Sequence, residues 1–320
     1  MKMDHSMHSP TSIETLPHIA TDGTGAPREG GPVPESGSTG TVRFLHCRRW
    51  PGAGYFIALP SRLAEQAPVL VTVHGISRNA RAHAQTFAPV CNDLGWVVVA
   101  PLFRKSDFPH YQKLGFSRIS GGPRADLALN AILDEVHDQT GAATEAVRMF
   151  GFSGGGQFVH RYAFLHPDRV RAAALGSPGW YTFPDPQTPF PRGIAATTVM
   201  TAAVDPVRAL GVPTAVFVGA HDTGRDASLN TARRIDRQQG RTRLERGRRW
   251  IAAMHHAARH AGLDTPFAFE ALNDCGHDFA DCIRIGRLHL RALEFLIGVA
   301  SRPGSRNGRR RARPSFSFLV

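Results

Sequence analysis

The chain has 320 residues, of which 42% are hydrophobic and 20% are charged, so it can bury a core in one large α/β domain or in two smaller ones. Its formal net charge is +12, and the six arginines of residues 301–320 equal half of that charge. Because the basic residues do not alternate with aromatic residues, the pattern does not indicate a nucleic-acid partner, and no apolar run is long enough to predict a membrane-spanning helix.

The two ends differ in composition from the middle. Residues 1–40 are rich in Ser, Thr, Pro, Gly and His, which predicts a disordered leader, and residues 301–320 predict a disordered basic tail. The leader lacks the apolar stretch of a secretory signal, so we expect a cytoplasmic protein with free thiols. A bridge between Cys275 and Cys282 is the alternative if the protein is exported.

Segments typical of strands and of helices alternate from residue 41 onward. Residues 41–47 and 55–59 predict an antiparallel hairpin at a sheet edge. Apolar β-branched runs at 68–73 and 96–100 predict strands that are buried on both faces, with a helix over 79–94 between them. The next predicted elements are a helix over 124–139, a strand over 147–152 and a helix over 157–165.

The second half of the chain continues this alternation. Strands are predicted over 170–175, 214–218 and 266–272, and helices over 228–261, divided by Gly240 and Gly247, and over 281–299. Strands that alternate with helices pair in parallel. The sequence therefore predicts the α/β class, as a single domain over 41–300 with a mostly parallel eight-stranded sheet and helices on both faces.

Residues 177–212 interrupt the alternation. They contain Trp180, Tyr181 and several prolines, which exclude an ordinary helix or a central strand. A loop of this kind would overhang the carboxyl edge of the sheet, where ligands bind in α/β proteins. We predict a lid-like loop whose Trp180 and Tyr181 line an apolar substrate pocket. A hydrophobic plug that seals the core is the other interpretation, and the two are compatible.

The pentapeptide at residues 151–155, GFSGG, lies between a predicted strand and a predicted helix. A serine on a sharp strand-to-helix turn has strained backbone, and small residues two positions before and after it avoid a clash. The turn would lift the hydroxyl of Ser153 out of the sheet, beside the free N–H groups of the helix. This pattern predicts a nucleophile; a glycine-rich turn with a capping serine is the alternative.

A nucleophilic serine needs a base and an acid that orients the base. His277 follows the last predicted strand, and Asp222 follows the strand before it, so both would emerge at the sheet edge that carries Ser153. Asp226 is the rival acid, although its position favours a helix cap. The resulting order of serine, acid and histidine is the one expected for this type of sheet.

The negative charge that forms on an attacked carbonyl oxygen needs N–H donors that are already in place. Gly154, directly after the nucleophile, can supply one. The second would come from the loop after the third strand, where Ile76 is the first choice and Ser77 the second. His74 in the same loop is expected to be a packed, hydrogen-bonded residue rather than a proton carrier.

These motifs, in this order, resemble the α/β-hydrolase superfamily over residues 41–299. The segments FGFSGGGQFVHRYAFLHPDRV and GSPGWYTFPD are similar to those of bacterial esterases related to polyhydroxyalkanoate (polyhydroxybutyrate) depolymerases. The resemblance implies a serine esterase that forms an acyl-enzyme intermediate. Secreted depolymerases carry a signal and a polymer-binding module, and neither is seen in this sequence. The expected substrate is therefore a small ester or a hydroxyalkanoate oligomer.

Two other functions remain possible on the same fold: a serine peptidase or amidase, and a binding protein without catalysis. No nucleotide-binding motif occurs, so no cofactor is expected. His256 and His260 are one helical turn apart, but without a third ligand they indicate a polar helix face rather than a metal site. The sequence does not define an oligomeric state.

Overall fold

The computed structural model describes residues 41–116, 122–198, 200 and 204–299. The predicted leader (1–40) and basic tail (301–320) lie outside these residues. The described strands are β1 (Arg43–His46), β2 (Gly54–Ala58), β3 (Pro68–Val73), β4 (Val97–Leu102), β5 (Ala143–Phe152), β6 (Val170–Gly176), β7 (Thr214–Gly219) and β8 (Phe267–Leu272).

Helices connect most of these strands. The described α-helices are α1 (Ala80–Asp93), α2 (Ala125–Thr140), α3 (Gly154–Leu165), α4 (Pro206–Leu210), α5 (Arg233–Gln239), α6 (Arg243–His260), α7 (Phe279–Arg284) and α8 (Leu288–Gly298). Two short 3-10 turns lie at Tyr111–Lys113 and Pro167–Arg169.

The eight strands form one sheet in the order β1-β2-β4-β3-β5-β6-β7-β8. The pairs β1–β2 and β2–β4 are antiparallel, and every other neighbouring pair is parallel. The predicted fold class, including the antiparallel hairpin at one edge, is therefore confirmed. Because β3 and β5 to β8 run in the same direction, the loops that follow them meet at one edge of the sheet.

Apolar side chains cover both faces of the sheet. On one face, buried residues of α1 and α8 such as Phe87 and Leu293 pack against the strands. On the other face, α2, α3 and α6 contribute residues such as Leu129, Phe158 and Trp250. The central strand β3, with the sequence PVLVTV, is buried along nearly its whole length, as its continuous apolar run predicts. None of the described helices is both long and apolar enough to cross a membrane.

Several helix boundaries differ from the prediction: α3 begins at Gly154 rather than at 157, and α5 begins at Arg233 rather than at 228. Gly240, at φ +109°, does separate α5 from α6, but Gly247 lies inside α6. A Cβ on Gly247 would lie 2.9 Å from a ring carbon of Phe269, so this glycine lets α6 approach the sheet rather than ending the helix. The helix predicted over 281–299 is broken near Arg287, whose φ is 50°, and becomes α7 and α8.

The loop at 177–212 is mostly irregular in its described part, as its prolines predict. It contains α4, a single short helix that begins after Asp205. The carboxylate of Asp205 accepts hydrogen bonds from the N–H groups of Val207 and Arg208, and Pro206 occupies the first helical position, where it needs no hydrogen-bond acceptor. A helix start of this kind tolerates proline, which is why the expectation of no helix in this segment was wrong for these five residues.

Candidate active site

Ser153 stands on the turn between β5 and α3 with φ 52° and ψ −112°, a conformation that non-glycine residues rarely adopt. Its N–H donates to the carbonyl of Gly176 at 2.7 Å, which holds the turn against β6. A Cβ on Gly151 would lie 2.4 Å from the carbonyl oxygen of Gly155, and a Cβ on Gly155 would lie 1.9 Å from that of Val73. The two glycines therefore make this tight turn possible.

His277 and Asp222 lie beside this serine. The Nε2 atom of His277 is 3.0 Å from the hydroxyl oxygen of Ser153, and its Nδ1 atom is 2.7 Å from Oδ2 of Asp222. The Asp222 side chain is 1% exposed and that of His277 is 20% exposed. The ring of Phe152 stacks on the imidazole, with the centroids 5.5 Å apart. The result is a continuous hydrogen-bonded chain from a buried carboxylate to a partly exposed hydroxyl.

Asp226, the rival acid of the sequence analysis, does not contact His277. Its half-exposed carboxylate accepts hydrogen bonds from Arg243 and from both the N–H and the hydroxyl of Ser228. The hydrogen bonds from Arg243 hold the pKa of Asp226 well below its usual value. The expected helix cap at this position is wrong as well, because the next helix begins only at Arg233.

The two residues expected to supply N–H donors, Gly154 and Ile76, lie near the serine. Gly154 is the first residue of α3, where the N–H groups have no acceptor within the helix. The loop that contains Ile76 follows β3 and lies close to Ser153, because a Cβ on Gly75 would be 3.6 Å from Cβ of Ser153. Likewise, a Cβ on Gly154 would lie 3.2 Å from Cγ2 of Ile76. The Ile76 loop and Gly154 are thus close to each other beside Ser153, and their role as N–H donors stays a prediction.

Ser77 and His74 complete this loop. The Ser77 hydroxyl donates to Oδ1 of Asn79 at 3.1 Å, so it is used within the loop. His74 is fully buried; its Nδ1 lies 2.7 Å from the carbonyl oxygen of Gly75, and its Nε2 accepts from the N–H of Phe103 at 3.1 Å. Burial lowers the pKa of His74 to about 4. The expectation of a packed, hydrogen-bonded loop residue is confirmed.

The two aromatic residues expected in the substrate pocket have different environments. Tyr181 is fully buried, its ring stacks on Trp250 at 5.0 Å, and its backbone exchanges two hydrogen bonds with the side chain of Gln239. A pocket-lining role for Tyr181 is therefore wrong: this part of the loop is the hydrophobic plug. Trp180 remains partly exposed, with the guanidinium of Arg161 4.3 Å from its ring centroid. Its contact with substrate stays a prediction.

Two residues at the site had no recognisable sequence signal. Gln112, in the turn after β4, reaches within 3.2 Å of a Cβ placed on Gly154. Arg243, at the start of α6, donates from Nη1 to Oδ1 of Asp222 at 3.2 Å. Arg243 belongs to an arginine-rich helix, and nothing in the sequence separates it from its exposed neighbours.

The structure also shows the state of the cysteines and the arrangement of the possible metal ligands. All four cysteines are buried and free, so Cys275 and Cys282 are not bridged. Within the described residues, no group of three or more His, Cys, Asp or Glu side chains is placed to hold a metal ion. His256 and His260 stack with their ring centroids 6.5 Å apart.

The strand order, the serine turn after β5 and the positions of the acid and the histidine after β7 and β8 define the α/β-hydrolase fold. The sequence matches no protein-family model and no curated protein. The structure is similar to that of a poly(aspartic acid) hydrolase from Sphingomonas sp. KT-1, with a TM-score of 0.67 and 24% identity over 81% of this chain and 98% of that chain.

It is also similar to a poly(3-hydroxybutyrate) depolymerase from Bordetella parapertussis, with a TM-score of 0.66 and 23% identity over 81% of this chain and 90% of that one. A third similar structure is an S-formylglutathione hydrolase from Agrobacterium tumefaciens, with a TM-score of 0.55 and 14% identity over 81% of this chain and 95% of that one. The chain is thus an α/β-hydrolase-fold protein that is similar in structure to depolymerase enzymes.

Proposed function

We propose that the protein is a serine hydrolase that cleaves carboxylic esters, either small acyl esters or hydroxyalkanoate oligomers, through an acyl-enzyme intermediate. One observation carries the proposal: the hydrogen-bonded chain from Ser153 through His277 to Asp222, with distances of 3.0 Å and 2.7 Å. A base in contact with the hydroxyl and a carboxylate in contact with the base are the groups that make serine nucleophilic.

In the proposed reaction, the Oγ atom of Ser153 attacks the ester carbonyl carbon while its proton moves to Nε2 of His277. The N–H groups of Gly154 and Ile76 hold the oxyanion that forms. His277 then gives the proton to the leaving alcohol oxygen as the C–O bond breaks. Water repeats the sequence on the acyl-enzyme, so the acid is released and Ser153 regains its proton.

Asp222 has a supporting part in this mechanism. It accepts a hydrogen bond from the Nδ1–H of His277, which leaves Nε2 free as the base, and it stabilises the imidazolium during the reaction. Trp180 and Gln112 are the proposed walls of the acyl pocket, because Gln112 borders Gly154 and Trp180 is the partly exposed aromatic residue of the loop at 177–212. Neither a metal ion nor a cofactor has a part in the proposed steps. Location in the cytoplasm stays a prediction.

The first test is the variant Ser153→Ala. We expect the turnover of p-nitrophenyl butyrate to fall by several orders of magnitude, because the base is left without a nucleophile to activate. The control is Ser61→Ala, which removes a hydroxyl at an exposed position in the loop before β3. Equal hydrolysis by the Ser153→Ala variant and the native protein would refute the proposal. Acyl chain lengths from acetate upward, together with short hydroxyalkanoate oligomers, would then define the substrate.

Amide cleavage is the second candidate. It is favoured by the similarity to a protein named as a hydrolase of poly(aspartic acid), whose repeating bond is an amide. An aminoacyl p-nitroanilide compared with the matching p-nitrophenyl ester separates the two functions, because an esterase would cleave only the ester at an appreciable rate. A fluorophosphonate probe separates both from a binding protein without catalysis: only a catalytically competent Ser153 would be labelled.

A further inference from the structure

Arg243 is a buried cation in direct contact with the proposed catalytic acid. Its side chain is 1% exposed, as is that of Asp222, and its Nη1 lies 3.2 Å from Oδ1 of Asp222. The other oxygen of the same carboxylate, Oδ2, faces Nδ1 of His277 at 2.7 Å. The two carboxylate oxygens are thus divided between an arginine and the histidine, which defines the plane of the carboxylate.

A second set of contacts holds Arg243 itself in place. Its Nη1 donates to Oδ2 of Asp226 at 2.9 Å, and its Nη2 donates to Oδ1 of Asp226 at 3.2 Å and to the hydroxyl of Ser228 at 2.6 Å. The planar guanidinium and the Asp226 carboxylate therefore form a two-point pair, which restricts the orientation of Arg243 more than a single contact would. Thr242 caps α6 one residue earlier, so the backbone at Arg243 is held as well.

The charges at this place match the proposed reaction. Asp222 and Asp226 carry two negative charges, and Arg243 carries one positive charge between them. When His277 becomes an imidazolium, the four groups together become neutral. If Arg243 were absent, the buried carboxylate of Asp222 would lose its charged partner and be free to turn, because only one of its oxygens would have a defined contact.

We propose that Arg243 is a positioning residue for catalysis: it orients the carboxylate of Asp222 toward His277, and Asp226 in turn orients Arg243. This inference rests on the proposed serine hydrolase function. It also gives Asp226 a place at the site that differs from the role of catalytic acid. The alternative is that Arg243 merely fastens the loop of Asp226 and Ser228 to α6.

The test compares Arg243→Met, Arg243→Lys and Asp226→Asn with a matched control, Arg225→Met. Arg225 lies in the same loop and pairs with Asp236, with 2.8 Å between Nη2 and Oδ2, so its loss loosens the loop without touching Asp222. The readouts are kcat and KM for p-nitrophenyl butyrate, the melting temperature, and the low-field proton NMR signal of the hydrogen bond between His277 Nδ1 and Asp222.

We expect Arg243→Met to lower kcat about 10- to 100-fold with little change in KM, which is the usual effect of removing a group that orients a catalytic partner. The low-field signal should shift or broaden. Arg243→Lys should recover part of kcat, and Asp226→Asn should lower kcat by less than Arg243→Met does. Arg225→Met should keep both kcat and the signal, even if its melting temperature falls.

Several results would overturn the inference. The role is structural if Arg225→Met and Arg243→Met lower kcat equally and in proportion to their melting temperatures. Arg243 has no positioning role if Arg243→Met keeps the native kcat and the native low-field NMR signal while Ser153→Ala is inactive. In that case the proposed function still stands. If the native protein shows no hydrolysis that depends on Ser153, the proposed function fails. The positioning role is then tested by NMR alone, and an unchanged low-field signal in Arg243→Met and Arg243→Lys would refute it. If Arg243→Met does not fold, the Arg243→Lys and Asp226→Asn variants decide the matter by the same readouts.

Discussion

The backbone conformation of Ser153 depends on the two glycines at positions 151 and 155. A φ of 52° is unfavourable for serine, and it persists because Gly151 and Gly155 allow β5 and α3 to meet at an angle that no side chain would permit. The hydroxyl thereby stands at the carboxyl edge of the sheet, next to the N-terminus of α3. The position of this hydroxyl is thus a consequence of packing around two residues that have no side chains.

The variant Gly155→Ala tests this dependence. Its new Cβ would lie 1.9 Å from the carbonyl oxygen of Val73 and 2.7 Å from that of His74, and backbone atoms of β3 cannot move without disturbing the sheet. We expect a loss of several kcal/mol in the free energy of unfolding, or failure to fold, with activity lost in either case. Urea unfolding and ester hydrolysis are the measurements.

The control for this variant is Gly224→Ala, because nothing lies within 4 Å of a Cβ at that position. It should keep both stability and activity. Native-like activity in Gly155→Ala would mean that the serine turn tolerates a wider angle, and that the proposed activity does not depend on the strained backbone of Ser153.

The side chains of the site differ in how far sequence could predict them. The three residues that the structure joins by hydrogen bonds, Ser153, Asp222 and His277, each follow a parallel strand, and such strands end at one edge. Tyr181 was misassigned because its position in an aromatic loop does not reveal which way the ring turns. Arg243 could not be predicted, since its contact with Asp222 depends on how α6 docks.

At the scale of elements, α6 shows how a glycine can serve packing rather than end a helix. Gly247 is the point where α6 lies against β7 and β8, and a Cβ there would meet Phe269 at 2.9 Å, Val216 at 3.1 Å and the hydroxyl of Tyr181 at 3.2 Å. Glycine is disfavoured inside a helix by about 1 kcal/mol relative to alanine. The close approach of the helix to the sheet compensates for this cost.

We therefore expect Gly247→Ala to lower stability, although alanine is the better helix former. The overpacking cost of about 1–3 kcal/mol should exceed the gain in helix propensity, because three neighbours would have to move at once. Gly298→Ala, at the end of α8 with nothing within 4 Å, is the control and should not destabilise the protein. A higher melting temperature for Gly247→Ala would show that α6 can shift away from the sheet.

The order of the strands and helices could be predicted from the sequence, whereas the residues at which they begin and end were less predictable. The eight strands follow from short apolar runs between helical segments, and the antiparallel edge follows from the short connection between the first two strands. The break between α7 and α8 was missed because the apolar period continues across it. At that break a Cβ on Gly286 would lie 2.9 Å from the sulfur of Cys275, so Gly286 packs closely against a residue that lies outside the helix predicted over 281–299.

Three buried histidines of the described residues make the stability of the fold depend on pH. His74, His83 and His160 are at most 2% exposed, and burial lowers the pKa of each, to about 4 for His74 and well below the usual value for the other two. Each has a hydrogen-bonding partner that suits a neutral ring, such as the hydroxyl of Thr72 at 2.9 Å from Nδ1 of His83. Within the described residues, these three buried rings resist protonation, and burial lowers the pKa of the partly buried His289 as well.

This arrangement predicts that stability falls on mild acidification. Below a pH of about 6.5 the three histidines bind protons in the unfolded chain but not in the folded one, so the free energy of unfolding decreases as the pH falls. For His74, whose pKa in the fold is about 4, the loss amounts to about 2 kcal/mol by pH 5, and His83 and His160 change the stability in the same direction. Carboxyl groups with a lowered pKa, such as that of Asp126, add to it only at lower pH.

Urea unfolding at pH 7 and pH 5, followed by tryptophan fluorescence, measures this difference. His83→Gln should reduce the difference, because one of these groups no longer takes up a proton on unfolding. His256→Gln, at an exposed position, is the matched control and should leave it unchanged. Equal stability of the native protein at the two pH values would contradict this prediction, because it would mean that the buried histidines are already protonated in the fold.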